Sequence, residues 1–178
     1  MIVREATTAD SDAVAPLILA CLTQHEAWDA ARYGLAAEVA KEYRRWFGRL
    51  AEDPRTTIVI AEMDGRPVGY LVATVHRDRP IYRTGDYAVI HDLWVEDPAS
   101  DAGRELLKDA ADRYAAAGVT QLRAATAAAN ERVRTLLKSS GFRICQVDLL
   151  MELPAPKPRK KAVRRAESSR APAEDVAE

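Results

Sequence analysis

The sequence predicts an α/β fold of the α+β kind: a mixed, mostly antiparallel central sheet flanked by helices, in the order βααβββαβαβ. Three observations carry this expectation. Runs rich in branched and aromatic residues alternate with segments of helical periodicity along residues 1–153. Two of those runs meet at Asp64-Gly65, a dipeptide suited to closing a hairpin. The composition then changes sharply at Pro154, which sets the domain boundary.

Residues 1–7 read as a short strand. Asp10 or Ser11 then caps a helix whose Val14, Leu17, Ile18, Cys21 and Leu22 recur at helical spacing. A second helix covers residues 35–51, with Val39, Tyr43, Trp46, Phe47 and Leu50 on one face. TTIVIAEMDG and RPVGYLVATVH form the antiparallel hairpin. After a polar connection at 77–86, YAVIHDLWVE is a further strand. A helix at 101–117 turns Leu106, Leu107, Ala110, Ala111 and Tyr114 inward and ends at Gly118. VTQLRAATA is a strand, Asn130 caps the helix ERVRTLLKSS, and Gly141 closes it. RICQVDLLMEL is expected as the last strand.

From Pro154 onward there are three early prolines, no aromatic residue and no Ile or Leu, too little apolar surface to offset the entropy of ordering. Residues 154–178 are therefore expected as a disordered tail, basic and then acidic, with seven Lys and Arg against four Asp and Glu. The whole chain carries a formal net charge of −1, which argues against generic polyanion binding; any nucleic-acid contact is confined to the basic cluster at 157–165. Cys21 and Cys145 lie far apart with no CxxC or His cluster, so neither a metal site nor a disulfide framework is expected. The N-terminus has no signal-peptide run and no segment reaches membrane-helix length, so a cytoplasmic protein without membrane contact is expected. The sequence leaves a homodimer open.

Three landmarks occur in order: IHDLWV at 90–95, AGRELL at 102–107, and Asn130 followed by a helix ending SSGF at 139–142. Together they resemble the GNAT superfamily of acyl-CoA-dependent N-acyltransferases over nearly all of residues 1–153. The resemblance implies a GNAT-like fold with acetyl-CoA as co-substrate. It also implies a bulged central strand whose Leu93, Trp94 and Val95 backbone pairs with the pantetheine arm. The helix start at Ala102, Gly103, Arg104 and Glu105 would hold the pyrophosphate on bare N–H groups, and Asn130 would contact the cofactor.

The turn departs from the family's pattern. Pro98 falls near its Arg or Gln, Asp101 replaces its first Gly, and the loop is two residues short. Asp101 reads as an N-cap whose carboxylate would compete with the pyrophosphate for the same donors, unless Arg104, Arg132 or Arg134 compensates.

Direct acyl transfer needs a base for the attacking ammonium. His91 falls where the family carries Glu, with a hydrogen-bonded sheet histidine as the alternative reading. Asp92 is expected on the opposite face by strand alternation. Leu137 stands where the family often has its tyrosine acid, which leaves Tyr87 as the nearest replacement in sequence. The linker residues His25, Glu26, Trp28 and Tyr33 form a mix suited to recognising an amine, or an ordinary exposed loop. Two functions follow. One is an N-acetyltransferase acting by direct transfer on a primary amine of a small molecule or protein. The other is a catalytically degenerate GNAT-fold module that binds a partner.

Overall fold

The computed structural model describes residues 1–98 and 100–153. Along them run β1 (Ile2–Glu5), a 3₁₀ turn (Thr8–Asp10), α1 (Ser11–Trp28), α2 (Ala30–Tyr33) and α3 (Val39–Glu52). Next come β2 (Thr56–Met63), β3 (Arg66–Arg77), β4 (Asp86–Val95), α4 (Ala102–Ala116), β5 (Leu122–Ala124) and α5 (Glu131–Ser139). The five strands form one sheet in sequence order, antiparallel throughout except for the parallel β4–β5 pair. The fold class expected from the sequence is thus the one observed. The expected tail and its basic cluster lie outside the described residues.

Strand alternation sorts the core into two layers. Val59, Ala61, Leu71 and Ala73 pack with Leu106, Leu107, Ala110 and Tyr114 of α4, while Ile58, Ile60, Tyr70 and Val72 pack with α1 and with Phe47 of α3. Successive side chains of β2 and β3 therefore enter opposite layers, which is why both strands read as continuous apolar runs rather than alternating ones. The Tyr114 hydroxyl donates to the Ala73 carbonyl at 2.8 Å, anchoring α4 on the sheet. At the hairpin tip Asp64 and Gly65 have φ of 52° and 77°, the left-handed pair that a two-residue turn requires. Arg4 ties β1 to its surroundings, bonding Asp10 at 2.7 Å and Glu62 at 2.6 Å.

Two expectations are corrected. The strand expected over 119–127 shrinks to Leu122–Ala124, because β4 leaves its neighbour after Ile90 and the parallel ladder ends there. The strand expected at 143–153 does not form, and its apolar residues stay exposed, Leu149 at 93%. A strand exists only through a ladder partner, and a single three-residue β5 offers this segment little to pair with. No helix among the described residues is long and apolar enough to cross a membrane.

Candidate active site

The site begins with a register irregularity. In the β3–β4 ladder Val72 opposes Asp92, yet Ala73 opposes Ile90, so His91 has no residue across from it and β4 bulges. On the other side β4 and β5 pair at only three positions, Ala88 with Leu122, Val89 with Arg123 and Ile90 with Ala124. Beyond them the strands part over a cleft of about 20 Å³, with His25, His91 and Leu93 on one wall and Thr126, Asn130, Val133 and Leu137 on the other.

The bulge overturns the expectation that His91 and Asp92 face opposite ways, because the extra residue suspends the alternation. Asp92 turns toward α3, where the Tyr43 hydroxyl donates to its Oδ2 at 2.6 Å. His91 enters the cleft beside His25 of α1, its ring 5.9 Å from that of His76. Both members of the pair therefore serve the α1/α3 side of the sheet. Trp94 packs into the same layer, while Leu93 and Val95 pack toward α4.

Burial sets the electrostatics. Desolvation raises the Asp92 carboxyl above the usual value, opposed by the Tyr43 hydrogen bond and by the nearby His25 and His91. Desolvation lowers the His91 pKa, and His76 lowers it further while Asp92 opposes. The neutral, proton-accepting imidazole is thereby favoured. Burial pushes the Cys21 thiol up to about 12, so it is a packed thiol rather than a nucleophile. The Tyr70 hydroxyl, buried in the same layer, has no hydrogen-bond partner among the described residues.

Three of the four linker residues come together. His25 Nδ1 lies 2.9 Å from the Cys21 carbonyl, and since a carbonyl only accepts, Nδ1 is the donor, which leaves Nε2 free of this contact. Its ring is braced by Trp28 at 5.3 Å and Tyr33 at 5.1 Å. Glu26 does something else, accepting from the Leu35 backbone N–H at 2.9 Å and fixing the loop. Tyr87 is also occupied: its ring stacks on His76, and the Arg123 guanidinium sits 3.6 Å from its centroid.

At the start of α4, Ala102 and Gly103 are buried and Arg104 and Glu105 are exposed. A Cβ on Gly103 would come within 2.8 Å of Leu136 Cδ2, so the glycine allows α5 to approach. Asp101 holds the N-cap position, but its carboxylate makes no capping hydrogen bond and lines an outer groove with Met1, Val3 and Glu105. The expected competition for the helix donors is therefore absent. Asn130 is buried, its Oδ1 accepts from the Val133 N–H at 3.1 Å, and it also lines the cleft.

Sequence reasoning assigned Tyr43 to the core and missed its second role. The available signal was its hydroxyl, since a tyrosine on an inward helix face usually needs a polar partner. Nothing in the sequence identified that partner as Asp92, 49 residues away.

The chain resembles several solved acetyltransferases. An aminoglycoside 6'-N-acetyltransferase from Acinetobacter haemolyticus matches with a TM-score of 0.67 at 14% identity, over 88% of this chain and all of that one. A predicted acetyltransferase with acetyl-CoA from Clostridium acetobutylicum matches with 0.66 at 16%, over 86% and 95%. A ribosomal-protein-alanine N-acetyltransferase from Brucella melitensis matches with 0.64 at 15%, over 86% and 100%. At these identities the likenesses speak for the fold. No curated protein matches by sequence. A profile described as the acetyltransferase (GNAT) family matches residues 22–142, most of the chain, including the bulged strand and the residues that line the cleft, and the chain belongs to that family.

Proposed function

We propose that the protein is a cytoplasmic N-acetyltransferase that moves the acetyl group of acetyl-CoA directly to a primary amine of a small molecule or protein. The observation that carries this reading is the parting of β4 from β5 at the His91 bulge, over a cleft fronted by an imidazole biased toward its neutral form. The edge of Leu93, Trp94 and Val95 away from β3, beyond the end of the β5 ladder, would pair with the pantetheine arm. The N–H groups at Ala102, Gly103 and Arg104 would face the pyrophosphate, with Asn130 as a further contact, whereas the Glu105 N–H, expected among them, donates to the Asp101 carbonyl at 3.0 Å.

In the reaction the amine must lose a proton before its lone pair attacks the thioester carbonyl. The C–N bond then forms, the C–S bond breaks, and the thiolate leaves and takes up a proton. His91 is the proposed proton acceptor. Asp92, one residue on and held by Tyr43, stabilises the imidazolium that results. His25, with its Nε2 free of the Cys21 contact, joins Trp28 and Tyr33 in receiving the amine, and cation–π attraction favours an ammonium beside those rings. Tyr87 and Glu26 are engaged elsewhere and have supporting roles.

The narrowness of the cleft favours a second reading, a partner-binding module that has lost catalysis. A volume of about 20 Å³ holds roughly one water, and Leu137 in its lining cannot donate a proton. Isothermal titration with acetyl-CoA, followed by thiol release over an amine panel, separates the two. Binding with amine-dependent release supports the enzyme; no binding at millimolar acetyl-CoA sinks it.

A further inference from the structure

A proton acceptor works only when its lone pair is held toward the reacting group, and in most sites a hydrogen bond to a third residue does the holding. His91 lacks that partner: among the described residues no group hydrogen-bonds to its ring. Asp92 is turned to the Tyr43 hydroxyl, and His25 Nδ1 to the Cys21 carbonyl. What the His91 ring does meet is His76 of β3, edge to face, with centroids 5.9 Å apart and planes at 76°.

His76 in turn ends a row of contacts laid across three strands. It opposes Tyr87 in the β3–β4 ladder, and the two rings stack at 5.7 Å and 26°. The Arg123 guanidinium lies 3.6 Å from the Tyr87 centroid and is itself fixed by Asp78 at 3.0 Å and Gln121 at 2.9 Å. Strand alternation accounts for the alignment. Tyr87 and Val89 share a face of β4, Arg123 pairs with Val89 from β5, and the bulge brings the His91 ring to that same face. His76 is exposed and Tyr87 and Arg123 are half-buried, so the row adds little to the core. Its consequence is a fixed ring beside His91.

We propose that His76, held by Tyr87 and Arg123, is the positioning residue that orients the His91 ring for proton acceptance. This role rests on the acetyltransferase reading of the cleft. Turning the His91 ring would break its edge-to-face contact, and aromatic pairs prefer that arrangement over a face-to-face one. A charge on His76 also opposes one on His91, with burial acting in the same direction and Asp92 against it. The other titratable and charged groups on this side are His25 of α1, which lines the same cleft, Tyr43 of α3 bonded to Asp92, and the mutually paired Arg123 and Asp78.

The test compares His76→Ala, which removes the ring, with His76→Phe, which keeps a flat ring without the charge. The position is exposed, so both variants of the full chain should fold, which far-UV circular dichroism checks. His76→Ala should lower kcat roughly ten- to a hundredfold with KM for acetyl-CoA unchanged, and His76→Phe should recover to within about threefold of the wild type. Arg123→Gln, which leaves both rings in place, should show part of the alanine loss. A second readout needs no turnover. The chain has only three histidines, so proton NMR resolves their ring signals. The wild type should show cross-relaxation between the His76 and His91 rings, and the His91 titration midpoint should rise in both His76 variants because the like charge is gone. An alanine variant with wild-type kcat, a phenylalanine variant as impaired as the alanine one, Arg123→Gln equal to wild type, or a His91 midpoint unmoved by loss of His76 would each overturn the proposal. A wild type without turnover would remove the acetyltransferase reading instead, and the spectra would still decide whether the His76 ring holds that of His91.

Discussion

The hydroxyl of Tyr43 on α3 donates to the carboxylate of Asp92 on β4 at 2.6 Å, joining two layers of the fold at the residue beside the strand bulge. Replacing Tyr43 by Phe removes that donor and leaves a desolvated carboxyl unsatisfied. Denaturant unfolding should show a loss of about 1–3 kcal/mol. The Asp92 pKa should move further up, because the hydroxyl holds it down against burial. A stability unchanged to within a few tenths would show that water replaces the hydroxyl.

The pH dependence of stability follows from the same group. Asp92 has its pKa raised in the folded state, so the folded chain binds the proton more tightly than the unfolded chain. Its contribution is therefore present below the ordinary Asp value and is lost as pH rises through the raised value. Asp10 acts in the opposite sense. Bonded to Arg4, it is lowered to about 2, so its stabilisation is present above 3.8 and is lost as pH falls toward 2. Asp92→Asn should remove the high-side slope and keep the acid-side one, as read from melting temperature across pH.

For catalysis, the lowered pKa of His91 sets the pH profile. The rising limb of kcat/KM should inflect below 6.5, the usual histidine value, because burial favours the neutral base. His91→Gln should lower kcat by about 10²- to 10⁴-fold and abolish that inflection. His25→Gln should act mainly on KM for the amine. The reverse split between the two histidines would exchange their roles.

Gly69 lies across the ladder from Val95, and a Cβ there would meet Trp94 O at 2.9 Å and Val95 Cγ1 at 2.8 Å. The carbonyl belongs to the backbone and cannot swing away as a side-chain end can. Gly69→Ala should cost about 1–3 kcal/mol of stability by overpacking. It should also weaken acetyl-CoA binding by shifting the 93–95 backbone. Calorimetry on the folded variant measures the second effect.

Asp101 gives the narrowest prediction. Because its carboxylate makes no capping bond, Asp101→Asn should change CoA affinity only through charge at a helix N-terminus. The gain should be about two- to fivefold at low salt and should fade as salt is added. A salt-independent gain would show that the side chain does block the site.

Much of this molecule was legible along the chain. The Asp64-Gly65 hairpin, the helix closed at Gly118, the Asn130 cap and the bulge at the central strand all rest on local rules of backbone and side chain, or on landmarks that keep their order. The cleft was legible only in outline. His91 lines the cleft, but the expectation that it and Asp92 face opposite ways fails, because alternation assumes an unbroken ladder and the bulge breaks it.

The sequence by itself determined most of the elements and their order, since periodicity and turn chemistry act over a few residues. The tertiary structure alone decided three matters: that Tyr43 meets Asp92, that Gly103 makes room for Leu136, and that 143–153 has no ladder within one chain. Each depends on which surfaces meet across long separations. A strand pattern states only that a segment can pair, and whether it does is settled by the edge it finds.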